Sequence, residues 1–220
     1  MQTYVTRRCS GFGHPEITLQ LRTPRPIPVE RMLLGYFEQA VARGSKFLPG
    51  QTVQVGSATL RLCTRRDGTL GVEEETVTGW VESCDQSLMR VWLQKEVVAS
   101  VGLEDELSFP QQHQTAMVAE CALGSATLVL MRLQGEPGME AFSGWSVASP
   151  PAHGHGERGF PTLLQLSDAL PSLDQFLALP VGTAVLVMGP GRIRASVLRN
   201  GSELTPRPGS YLAALNEGRV

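Results

Sequence analysis

Gly56-Ser-Ala-Thr-Leu-Arg-Leu62 recurs 68 residues later as Gly124-Ser-Ala-Thr-Leu-Val-Leu130. Alternating segments precede both copies, Thr52-Val-Gln-Val55 before the first and residues 117–123 before the second. Gly-Ser between two alternating runs reads as a tight hairpin. A third pair follows, with Thr183-Ala-Val-Leu-Val-Met188, then Gly189-Pro-Gly191, then residues 192–198. Working outward, each hairpin is preceded by a helix signal. Pro28 opens residues 29–43, where Val29, Met32, Leu33, Tyr36, Phe37, Ala40 and Val41 recur at helical spacing and Gly44 closes the run. Ser83 with Gln86 forms a capping-box pattern before Leu88, Met89, Val91, Trp92 and Val98. Residues 162–169 and 172–178 read as two short helices separated by Pro171.

Each helix is in turn preceded by a strand. Glu16-Ile-Thr-Leu-Gln-Leu21 alternates cleanly, and Thr78-Gly-Trp-Val-Glu82 and Ser143-Gly-Trp-Ser-Val147 share a Gly-Trp start. The order strand, helix, strand, strand therefore appears three times, over about 14–64, 70–133 and 142–198. This predicts an α+β fold of repeated units with helices packed on antiparallel sheets. The expected domains are a basic N-terminal unit (1–68), an acidic middle unit (69–140) and a C-terminal unit with a tail (141–220). The tail, residues 204–220, ends in a short helix.

The chain has 220 residues, 42% hydrophobic and 18% charged. That is enough apolar material for a core and excludes a disordered or fibrous chain. No apolar run of about 18 residues exists, so no membrane span is expected. Residues 1–11 carry Arg7, Arg8 and Cys9 with no apolar stretch behind them, which predicts no secretory signal. The four cysteines, Cys9, Cys63, Cys84 and Cys121, show no Cys-x-x-Cys spacing and read as free thiols in a reducing cytoplasm. His153 and His155 form one His-x-His pair, two ligands where zinc needs three or four. No metal or cofactor is expected.

Charge is unevenly placed. Residues 1–66 hold ten Lys/Arg and three Asp/Glu, residues 67–140 three and thirteen, and residues 141–220 six and five. The middle third is thus net −10, with acids in two blocks, Glu73-Glu74-Glu75 and Glu104-Asp105-Glu106. Such a surface attracts a basic partner and raises association rate. The formal net charge of −2 excludes a generally basic nucleic-acid binder. No phosphate-binding glycine loop and no Gly-x-Ser-x-Gly elbow are present. Trp80 and Trp145 each read as a packing residue or an interface anchor.

Ser143-Gly-Trp-Ser-Val147, an apolar helix reaching Leu173-Asp174, and Leu179-Pro-Val-Gly-Thr183 before a strand resemble a bacterial immunity domain of the DUF2185 type. Asp174 is followed by Gln175 rather than Pro, and the loop at 150–159 is rich in His and Gly rather than acidic. Gly13-His-Pro-Glu-Ile17, an apolar helix and Phe47-Leu-Pro-Gly50 resemble the start of DUF4262-type and suppressor-of-fused-like domains. These resemblances imply a cytoplasmic immunity protein that neutralises a cognate toxin by stoichiometric binding and is not itself an enzyme. A nuclease delivered by a type VI secretion system would suit the acidic surface, because its groove must be basic to hold phosphates. The residues expected at that interface are Glu73, Glu74, Glu75, Trp80, Glu104, Asp105 and Glu106. Two other classes stay open: an intracellular adaptor or scaffold for a non-toxin partner, and a metal- or thiol-dependent enzyme using His153, His155 or Cys84. Neither nucleic acid nor membrane is expected as a direct partner.

Overall fold

A computed structural model describes residues 1–23, 29–150, 156–189 and 193–220. The fold is α+β, and the chain gathers into two compact units, Met1–Trp92 and Leu93–Val220. Each has its own apolar core. Strands and helices follow one another along the chain with strands additional to the expected strand-helix-strand-strand order, and the expected boundaries at 68/69 and 140/141 are not the division into these two units; Pro28, His153, His155 and residues 190–192 lie outside the described residues.

In the first unit β1 (Gln2–Val5) pairs antiparallel with β2 (Ile17–Leu21), followed by α1 (Val29–Ala42) and β3 (Thr52–Val55), β4 (Ala58–Thr64), β5 (Leu70–Thr76) and β6 (Gly79–Val81). The sheet order is β1-β2-β5-β4-β3, with β6 also on β5. Ile17, Leu19 and Leu21 alternate into the core because a strand turns every second side chain to one face. α1 buries Val29, Leu33, Phe37 and Val41, one residue every fourth position, together with Glu30 in its first turn. Met32 and Tyr36, expected on that face, are 59% and 48% exposed, so the buried stripe is narrower than the periodicity suggested. Gly44, at φ 93°, ends the helix. Its N–H bonds Val41 O, and the Ser45 N–H bonds Ala40 O, at 2.9 and 3.0 Å, satisfying the last carbonyls.

α2 (Asp85–Ser100) begins in the first unit, where Leu88 is buried, and ends in the second, where Val97 and Val98 are buried. The second unit continues with β7 (Thr115–Ala119), β8 (Thr127–Arg132), β9 (Phe142–Ala148), β10 (Arg158–Gly159), α3 (Leu163–Ala169), β11 (Thr183–Met188), β12 (Arg194–Arg199), β13 (Ser202–Leu204) and α4 (Tyr211–Glu217). Its sheet order is β10-β7-β9-β8-β11-β12-β13. Both sheets are mixed rather than purely antiparallel, since β2–β5 and β7–β9 are parallel pairs.

The two copies of the repeated heptapeptide do different work. Gly56 and Ser57 make the two-residue turn of the β3–β4 hairpin, where Val55 faces Ala58 and Gly56 has φ 58°. Gly124 makes no hairpin, because β9 inserts between β7 and β8 and pairs with both. The inserted strand carries Trp145. It is fully buried in the second core, and its indole N–H bonds Leu177 O at 2.9 Å. Gly144 before it has φ 84°, and a Cβ there would lie 2.6 Å from Leu133 O, so β8 and β9 approach closely only with glycine. The second short helix of this unit, Pro171–Phe176, is a 3-10 turn. The tail helix α4 docks through Leu212, Leu215 and Asn216, whose amide brackets the Ala195 backbone at 2.8 and 2.9 Å.

One cation lies in this second core. Arg132, only 8% exposed, leaves Nε and Nη1 without a hydrogen-bond partner among the described residues. Its guanidinium rests 5.4 Å from the Trp145 ring centroid, and burial pulls its pKa down to about 10. A ring face offsets only part of the desolvation cost of a buried cation. Arg132→Met is therefore expected to raise the melting temperature by about 2 °C or more, read by calorimetry. A fall of several degrees would show that the guanidinium is satisfied in solution.

Candidate functional site

The acids of β5 divide by strand alternation. Leu70, Val72 and Glu74 face inward, while Glu73 and Glu75 face the other side. Glu74 is 2% exposed. Its carboxylate accepts the Ser87 N–H at 2.7 Å and the Gln86 N–H at 3.4 Å, so it caps the first turn of α2 from a neighbouring strand. Helix N-termini carry unpaired N–H groups and partial positive charge, which a carboxylate satisfies. Burial nevertheless outweighs these bonds and pushes the Glu74 pKa up. Asp85 completes the arrangement, accepting from the Arg22 N–H at 2.7 Å, the Thr23 N–H at 3.1 Å and the Ser83 hydroxyl at 2.6 Å. The expected capping box between Ser83 and Gln86 is thus replaced. Ser83 Oγ lies 3.3 Å from the Asp85 N–H, and the Gln86 N–H turns to Glu74. Glu74 is corrected from a surface residue to an internal cap.

On the opposite face of the strand, Glu73 stands across from Arg61 and holds it through Nε at 2.8 Å and Nη2 at 2.7 Å. The Arg61 guanidinium lies 4.5 Å from the centroid of the Trp80 ring. Trp80, half-buried on β6, stands directly across from Glu75. Paired residues on neighbouring antiparallel strands share a face. Glu73, Arg61, Trp80 and Glu75 therefore form one patch. Arg61 was not among the expected residues. Its place in the alternating run Ala58–Thr64, opposite an acid on β5, is the signal that identifies it.

The second acidic block lies in the other unit, in a 3-10 turn over Glu104–Glu106. Glu106 receives both Nη1 and Nη2 of Arg199 at 2.6 Å, and Glu104 is bonded by Arg207. The Glu104 backbone N–H and then Arg207 hold the Glu104 carboxyl below the usual range, and Arg199 does the same for Glu106. Asp105 is exposed between them. The net −10 of residues 67–140 is therefore divided between units, and much of it is matched by arginine.

Cys9, Cys63, Cys84 and Cys121 are free thiols. Cys84 is fully buried, and burial pushes its pKa far up, so it is held as the unreactive thiol. His153 and His155 lie outside the described residues. No helix among the described residues is long and apolar enough to cross a membrane. Compared with family models, curated proteins and solved structures, the chain matches none of them.

Glu74→Ala is expected to lower stability by about 1–2 kcal/mol in urea unfolding, because two helix N–H groups lose their acceptor. Glu74→Gln retains a carbonyl acceptor without the charge. With its folded-state pKa above the unfolded value, Glu74 binds more proton when folded, so its contribution falls as pH rises from the ordinary carboxylate range through the raised value. Glu74→Gln should flatten that slope and, because its one carbonyl oxygen replaces two acceptors, recover only part of the stability lost in Glu74→Ala.

Proposed function

We propose that this chain is an immunity protein, acting in the cytoplasm by stoichiometric binding to a basic toxin, with the Glu73–Arg61–Trp80–Glu75 patch as its principal contact. The resemblances at residues 143–183, 13–17 and 47–50 supply the class. The observation that carries the surface is the cation–π contact of Arg61 with Trp80, with the same guanidinium held by Glu73. Tryptophan and arginine are the residues most often found to dominate binding energy. A ring already fixed before binding loses little freedom on association, which leaves more of its burial energy for affinity. Glu73 and Glu75 place carboxylates on the same face, where lysine and arginine side chains of a phosphate-binding groove would meet them. Asp105 and the neighbouring Glu104 and Glu106 offer a second, weaker contribution, since two of those three acids already hold arginines.

Co-expression with the product of the adjacent open reading frame tests this reading. A one-to-one complex is expected. Trp80→Ala should weaken its Kd by about 30-fold, and Glu75→Lys should slow association and flatten its salt dependence. Complex formation that is indifferent to both substitutions would remove this face from the interface. The absence of any complex, with a toxin of demonstrated activity, would remove the immunity role.

A further inference from the structure

A second surface of the first unit is built for a different kind of ligand. Residues 9–16 are held rigidly by their own hydrogen bonds. The Glu16 carboxylate accepts the Ser10 N–H at 2.9 Å, the Cys9 N–H at 3.3 Å and the Thr6 hydroxyl at 2.5 Å. His14, 7% exposed, accepts the Phe47 N–H at Nε2 at 2.9 Å, and its Nδ1 lies 2.6 Å from Pro15 O. The imidazole thus staples the 9–16 loop to the segment after α1. Phe47 itself is buried edge-on against His14 and Phe37, with centroids 5.9 and 5.1 Å away.

This stapling leaves two large apolar side chains in water. Phe12 is 58% exposed and Leu48 is 63% exposed. Both line a cleft of about 540 Å³, together with Pro15, Val41, Phe47 and Leu70. Its charged lining residues are Lys46 and Arg65, and no carboxylate lines it among the described residues. Arg65 is engaged by Asp67 and Glu82. Lys46 is exposed and has no ion-pair partner among the described residues. Arg43 and Arg66, beside the lining residues in sequence, are exposed as well. The cleft lies at the turn end of the β4–β5 hairpin, using Thr64, Arg65, Gly68, Thr69 and Leu70, whereas Arg61, Glu73 and Glu75 lie further along the strands.

We propose that this cleft binds an extended peptide segment of a second protein, one that inserts a bulky aliphatic or aromatic side chain and places carboxylates beside Lys46. Rigid, exposed apolar residues around a concave apolar site mark a binding surface rather than a stable resting state. A small ligand inside the cleft would leave the outer faces of Phe12 and Leu48 wet, and a polypeptide passing over the rim covers them. Arg65 is already matched by Asp67 and Glu82, so Lys46, with the exposed Arg43 and Arg66 close to it or to the lining in sequence, sets the sign of the segment. This site takes a partner of charge opposite to that proposed for the Trp80 patch, so the two surfaces recognise different ligands.

The test is selection of random dodecapeptides displayed on phage against the immobilised full chain, followed by fluorescence polarisation of the enriched peptides. The expected consensus has an apolar anchor flanked by Asp or Glu. Leu48→Asp and Lys46→Glu, both at exposed positions and checked for an unchanged melting temperature, should each weaken the enriched peptide by about tenfold or more. Trp80→Ala should leave it within about twofold, which separates this site from the proposed toxin face. No enrichment, a basic or anchorless consensus, or affinity indifferent to Leu48→Asp would overturn the proposal. Loss of peptide binding in Trp80→Ala would overturn it too, by moving the peptide to the other patch.

Discussion

A carboxylate under the first turn of a helix organises this molecule. Glu74 reaches from β5 to the Ser87 and Gln86 amides, and Asp85 beside it gathers the Arg22 and Thr23 amides and the Ser83 hydroxyl. Two acids within one buried corner fix the start of α2, the end of β2 and the register of β5. The chain tolerates their burial because each oxygen has a partner, and an unmatched buried carboxylate would cost far more than these bonds return. Because β5 is fixed by its inward residue, its outward residues are fixed as well. Glu73 and Glu75 stand where Arg61 and Trp80 meet them across the sheet.

The charge distribution follows the same logic. An acidic tract in a sequence suggests a field in solvent, yet here Glu74 caps a helix and Asp67, Glu73, Glu82, Glu104 and Glu106 each hold an arginine. Arginine suits this task because its planar fork makes two parallel bonds to one carboxylate, as Arg199 does with Glu106. The matched pairs leave a surface with particular features rather than a uniform sign: a stacked tryptophan with acids beside it, and elsewhere on the same unit an apolar cleft with a lysine at its edge.

Much of the architecture was legible in the sequence, and the failures share a cause. Helix α1, its glycine stop and the β3–β4 hairpin are local features, and local rules found them. The second copy of the heptapeptide misled because turn residues permit a hairpin without choosing the strand partner. Here the partner of β8 is β9, whose Trp145 lies fully buried in the second core, 21 residues beyond Gly124. Asn200-Gly201, with φ of 51° and 80°, is the strongest two-residue hairpin signal in the chain, and it makes the β12–β13 turn that the repeat pattern stopped short of. At the site, the alternation Leu70, Val72, Glu74 already turned the middle acid inward, but the three consecutive acids read as one charge block. Arg61, and the cleft between Phe12 and Leu48, depend on strand pairing and on a histidine staple across 33 residues, which no local pattern encodes.

These acids behave as individuals and not as one surface. Carbon-detected NMR titration of the glutamate side chains resolves them directly. Glu74 is expected to titrate above the ordinary glutamate range because of its burial, and Glu104 and Glu106 below it because of their hydrogen bonds to backbone and arginine. If all three titrated together at the value of a solvated glutamate, about 4.3, the buried cap and the arginine pairs would be absent in solution and the account would be wrong.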